Sequence, residues 1–145
     1  MLIERALLEE LIAHAREEYD AECCGLIASQ EDAGESGEGE GAPRRAELVR
    51  RATNVFASRK RFEIDGKELL RALGEFEEQG LELAAIYHSH THTAPYPSQT
   101  DINFAANWPG LEWVIVGLAA EEPEVRSYLI DGGEVQEVEV AVEVG

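Results

Sequence analysis

The chain has 145 residues, 44% of them hydrophobic, which excludes disorder throughout and suits a single packed domain spanning 1–145. Its 12 Lys and Arg against 30 Asp and Glu leave a formal net charge of −18. That charge repels phosphates over most of the surface and so argues against nucleic acid and membrane partners, while permitting a partner with a basic patch.

In chain order, Leu2, Ala6, Leu8, Leu11, Ile12 and Ala15 recur near a 3.6 period, which predicts an amphipathic helix over about residues 3–19. His14 falls on that helix and is expected to be exposed. Acids every few residues make this opening stretch unlike a signal peptide, and no segment approaches a membrane span. Cys23 and Cys24 begin a short apolar run, "CCGLIAS", of strand length. Adjacent cysteines are a poor arrangement for a structural disulfide, which points to a reducing cytoplasm and to core roles for both. Residues 30–43, "QEDAGESGEGEGAP", lack Lys, Arg and almost all bulk, and read as a disordered acidic loop.

"RRAELVRRATN" and "RFEID" read as two further strands. Asp65 and Glu68 form a D-x-x-E start signal for a helix over about 66–79, stopped by Gly80. "LELAAIYHSH" is an apolar strand that ends in histidines, and about 98–107 is a third, short helix. "EWVIVGLAA", "EVRSYLI" and "EVQEVEVAVEV" are the last strands, with Asp131-Gly132-Gly133 as the turn between the final two. The fold class is α/β or α+β, a mixed sheet with helices packed against it.

Three of the four histidines crowd one stretch, "YHSHTHTAPYPSQTD". On a strand, residues two apart share a face, so His88 and His90 aim together and Ser89 aims away. Two imidazoles so placed can share one metal ion at about 2.0–2.1 Å, and a loop through Pro95 and Pro97 can bring Asp101 round as third ligand. Two His and one carboxylate leave a tetrahedral position open, the ligand count of a catalytic zinc site. Simpler readings stand beside this one. Ser98 and Asp101 also satisfy a capping-box pattern, and a bare H-x-H is often two surface imidazoles. His92 shares the parity of the pair but lies past the strand end, where it reads as a solvated loop histidine.

A hydrolytic metal site also needs a carboxylate to move a proton. Glu22, at the head of the "CCGLIAS" strand, is the local choice, although local context by itself favours an ordinary loop or helix-end glutamate. Two His and one carboxylate also suit a non-haem Fe(II) oxygenase, which normally occupies an all-β barrel. A non-catalytic scaffold or binding module is the third possibility.

"HSHTHTAPYPSQTD" matches H-x-H-x(7)-S-x(2)-D and resembles the signature of the JAMM, or MPN-plus, metalloproteases at His88, His90, Ser98 and Asp101. "AECCGLI" resembles the segment that carries that family's upstream glutamate, here Glu22. The resemblance implies the MPN fold, a curved mixed sheet with flanking helices like that of cytidine deaminases. It implies zinc held by His88, His90 and Asp101, with Glu22 as general base and then acid and Ser98 stabilising the oxyanion. Many members have proline after the second histidine; Thr91 here is a departure in loop shape. Because the chain is short, it resembles the small bacterial members that trim ubiquitin-like sulfur-carrier proteins after Gly-Gly, for example releasing cysteine.

Overall fold

The computed structural model describes residues 1–31 and 44–144. Its elements are β1 (Leu2–Glu4), α1 (Arg5–Glu18), β2 (Cys24–Gln30), β3 (Leu48–Ala52), α2 (Gly66–Glu78), β4 (Leu81–His90), α3 (Gln99–Ala105), β5 (Glu112–Gly117), β6 (Glu124–Asp131), β7 (Glu134–Val138) and β8 (Ala141–Glu143). Six strands form one mixed sheet in the order β3-β2-β4-β5-β6-β7, in which only β4 and β5 run parallel. The expected mixed sheet with packed helices is what the chain adopts.

The central strands are buried on both faces, so they read as continuous apolar runs rather than alternating ones. Strand parity divides them between two cores. Ala85, Tyr87, Val114 and Val116 pack with Leu11 and Ala15 of α1 on one face. Ile86, Trp113 and Ile115 pack with Ala72 and Phe76 of α2 and Ala105 of α3 on the other. The second face is where His88 and His90 point, because they share the parity of Ile86.

Local signals set the helix ends. The Asp65 side chain accepts from the Glu68 N–H at the start of α2, and Gly80, at φ 72°, follows its C-cap. Gly132 and Gly133, at φ 58° and 84°, close the β6–β7 hairpin, where both central residues need positive φ.

The structure corrects the sequence reading in several places. Leu2–Glu4 is a strand rather than the first turn of a helix, and it pairs in parallel with β8. The final strand is accordingly two: β7 completes the main sheet, while the chain breaks at Glu139, whose carbonyl accepts from the N-terminal amine at 2.7 Å. "RFEID" makes only one bridge, Asn54 to Ile64, because the Asn54 side chain takes up its backbone groups instead. His14 is buried, with Nδ1 2.7 Å from the Tyr87 hydroxyl. Gln30, expected to open the acidic loop, is the last residue of β2, and 32–43 lie outside the described residues. Among the described residues no helix is long and apolar enough to cross a membrane.

Candidate metal and catalytic centre

β4 delivers two imidazoles to the carboxyl end of the parallel β4–β5 pair. The chain then folds back over the sheet. Leu118 N–H donates to the His90 carbonyl, the Tyr128 hydroxyl donates to the Pro95 carbonyl, and a Cβ on Gly117 would stand 2.9 Å from the Pro95 ring. This return sets Ser98 as N-cap of α3. Ser98 Oγ accepts from the Asp101 N–H at 3.1 Å, and Ser98 N–H donates to Asp101 Oδ2 at 2.9 Å, a complete capping box. The cap aims Asp101 at the strand, so the simple reading and the metal reading of Ser98 and Asp101 describe the same geometry.

The result is a buried cluster of three donor atoms. His88 Nε2 and His90 Nε2 are 3.2 Å apart, and Asp101 Oδ2 lies 3.1 Å from the first and 3.2 Å from the second. Ligands at 2.0–2.1 Å around a tetrahedral ion would be separated by about 3.3 Å, so the spacing fits one small cation. The tautomer strengthens the fit. His90 Nδ1 is 2.9 Å from the Ala94 carbonyl and therefore carries the proton, leaving the Nε2 lone pair facing a carboxylate and a second imidazole. The His90 Nε2 lone pair and the Asp101 Oδ2 carboxylate oxygen, 3.2 Å apart, repel one another unless a proton or a cation lies between them. His88, His90 and Asp101 can therefore hold a metal ion.

The electrostatics follow from burial. Burial lowers the His88 pKa despite Asp101, so that imidazole is held neutral. Burial also acts against charge on His90, but the Asp101 hydrogen bond, the Ala94 carbonyl and the Asp101 charge outweigh it and raise its pKa. Burial would raise Asp101, yet both histidines and the Ser98 N–H hold it far below the usual carboxylate range. Phe62 stacks on the His88 ring at 4.5 Å between centroids and closes that side to water.

Glu22 reaches the same place by register. β2 pairs antiparallel with β4 through Cys24 opposite His88, so two residues earlier Glu22 stands level with His90 and on its face. Its backbone is clamped: Glu22 N–H donates to the Ser58 carbonyl at 2.7 Å, Asn54 Nδ2 donates to the Glu22 carbonyl at 3.0 Å, and next door Cys23 N–H donates to Ser89 Oγ at 2.8 Å. The side chain is 5% exposed, and Oε1 has no hydrogen-bond partner among the described residues. Burial, with the Asp101 charge adding to it and His90 opposing, raises its pKa to about 8.

A cavity of about 490 Å³ opens beside the cluster, lined by Glu22, Arg59, Lys60, His90, His92 and Ser98 among others. His92 lies past the end of β4, half exposed and paired with Asp20, outside the three-donor cluster. Cys23 and Cys24 are free, buried thiols in the two opposite cores, as expected. Arg59 and Lys60 belong to none of the sequence motifs. The signal was present as three successive cations, Arg59-Lys60-Arg61, in an acidic chain.

Comparison with known proteins agrees with this geometry. The family described as prokaryotic homologs of the JAB domain matches residues 4–131. A protein named CysO-cysteine peptidase from Mycobacterium tuberculosis (strain ATCC 25618 / H37Rv) is 33% identical over 98% of this chain and 90% of its own length. A protein named desampylase from Pyrococcus furiosus is 35% identical over 84% of this chain and 76% of its own. The crystal structure of AF2198, a JAB1/MPN domain protein from Archaeoglobus fulgidus, superposes with a TM-score of 0.64 at 19% identity, covering 100% of both chains, and so bears out the expected MPN fold. With its family matched over nearly its whole length and its fold shared with a JAB1/MPN protein, this chain belongs to the prokaryotic JAB-domain family.

Proposed function

We propose that this single-domain chain is a JAMM-type zinc peptidase that cleaves after the C-terminal Gly-Gly of a ubiquitin-like sulfur-carrier protein, for example releasing cysteine. The observation that carries the reading is the convergence of His88 Nε2, His90 Nε2 and Asp101 Oδ2 at 3.1–3.2 Å, with the His90 tautomer set by Ala94. His88, His90 and Asp101 would hold the zinc. Zinc supplies Lewis acidity, enough to bring the pKa of water to about 7.

The protein's own groups do the rest. Glu22, buried and lacking a partner at Oε1 among the described residues, takes a proton from water and hands it to the leaving nitrogen, burial making its carboxylate the more basic. Ser98 Oγ already accepts from the Asp101 N–H, so its hydroxyl proton is available to the oxyanion that develops in the cavity. Phe62 and the neutral imidazole of His88 keep the inner wall dry, which strengthens each of these interactions. The names of the mycobacterial and archaeal relatives support the substrate class, since one is called a peptidase of a CysO-cysteine adduct and the other a desampylase. The two free, buried thiols support a reducing cytoplasmic setting.

The test is incubation of the zinc-loaded chain with the source organism's ubiquitin-like carriers, each extended past Gly-Gly, with products weighed by mass spectrometry. A trimmed carrier ending in Gly-Gly is the expected product. Glu22→Gln should retain zinc and lose cleavage; full activity in that variant would remove Glu22 from its role.

A further inference from the structure

The cavity beside the cluster has a cationic wall that the hydrolytic roles above do not use. The chain holds 12 Lys and Arg against 30 acids. Among the described residues, Arg44, Arg45, Arg50, Arg51 and Arg126 all pair with glutamates away from this cavity. Arg59 and Lys60, by contrast, line the cavity together with Glu22, His90 and Ser98. No ion pair among the described residues involves Lys60. Arg59 has one distant partner, Asp20 at 3.8 Å, and that carboxylate is already taken at closer range by His92. Neither cation is paired with Glu22.

A molecule of net charge −18 repels anions over most of its surface, but the two adjacent cations that line this cavity beside the donor cluster can accept an anion there. The position says which anion. Glu22, which lines the same cavity, is the group that protonates the leaving nitrogen. When the residue after Gly-Gly is joined through its α-amino group, its own carboxylate lies two bonds beyond that nitrogen. When the bond is an isopeptide, four methylenes of a lysine occupy the same space and carry no charge. A cavity of about 490 Å³ has room for the Gly-Gly end and one further residue.

Resting on the peptidase reading, we infer that Lys60, assisted by Arg59, binds the free α-carboxylate of a single residue attached to the carrier's C-terminus, so that the enzyme prefers a one-residue α-linked adduct to an isopeptide conjugate. Lys60 is the principal contact because its ammonium is uncommitted, and Arg59 adds to the field while bridged to Asp20. Both lie in the segment whose backbone Asn54 organises through its contacts with the Arg61 and Glu22 carbonyls. The carboxylate-binding wall and Glu22 are thereby held in one frame.

The experiment compares a ubiquitin-like carrier extended by one cysteine as the free acid, the same adduct as its C-terminal amide, and the carrier joined to the side-chain amine of a lysine peptide. For the zinc-loaded chain we expect kcat/KM for the acid to exceed that for the amide and the isopeptide by about 10- to 100-fold, the range of one charge-assisted contact. Lys60→Met should bring the acid-to-amide ratio close to one, Lys60→Arg should restore most of it, and Lys67→Met, away from the cavity, should leave it intact. A wild-type ratio of one, or a ratio unmoved by Lys60→Met, overturns the inference while leaving the peptidase reading standing. Failure to cleave any of the three overturns the peptidase reading instead. Calorimetric binding of acid and amide adducts then decides the carboxylate contact, with equal affinities counting against it.

Discussion

Glu22→Gln should make the metal-free chain more stable at pH 8 and leave it unchanged at pH 4. Burial raises the Glu22 carboxyl from 4.5 to about 8 in the folded chain, so folding favours its protonated form. Below pH 4.5 the folded and unfolded states both hold the proton and the side chain imposes no penalty. As pH rises from 4.5 towards 8 the unfolded chain releases the proton while the folded chain retains it, and stability falls. Above that window the loss is complete. At 1.36 kcal/mol per pKa unit the ceiling is on the order of 5 kcal/mol; because the carboxyl faces a water-accessible cavity, about 2–4 kcal/mol is expected. Glutamine has nearly the same shape and no charge to bury, so it escapes the loss. The assay is urea denaturation of both chains across pH 4 to 9 with a chelator present. Zinc should narrow the difference, since a nearby dication favours the carboxylate. A stability gap that does not change with pH, or a variant less stable than wild type at pH 8, would refute the reasoning.

Asp101→Asn should lose most zinc binding while costing the fold only about 1 kcal/mol, because an amide oxygen can still accept from the Ser98 N–H and retain part of the cap; metal content and denaturation midpoint, measured on one sample, separate the two effects. If metal content is unchanged, Asp101 is a helix cap alone. Gly25→Ala places a Cβ 2.2 Å from the Tyr87 ring, which cannot move without breaking its bond to His14, and should destabilise the chain by roughly 3 kcal/mol or more, read as a fall in thermal midpoint. Ser89→Ala leaves the buried Cys23 N–H without its side-chain acceptor, for a loss of about 1–3 kcal/mol, and should reduce cleavage without reducing zinc content, because the strand head that carries Glu22 loosens. Unchanged turnover in that variant would show that Asn54 and Ser58 suffice to place Glu22.

Much of the molecule can be read without coordinates. Two-residue parity puts His88 and His90 on one side of a strand, Ser98 and Asp101 announce a capped helix, Asp65 and Gly80 bracket another, and the paired glycines mark the last hairpin. These are short-range properties: each depends on groups within a few residues of one another, so the amino-acid order alone determines them. What tertiary structure decided was everything that needs partners distant in the chain. Leu2–Glu4 is a strand only because β8 runs beside it, and His14 is buried only because a tyrosine 73 residues away offers a hydroxyl. Whether Glu22 is an ordinary loop acid or a member of the site depends on the β2–β4 register, which long-range pairing sets. The cationic wall of Arg59 and Lys60 likewise becomes meaningful only once folding brings it to the cavity that Glu22, His90 and Ser98 share, since charge acts through space and not along the chain.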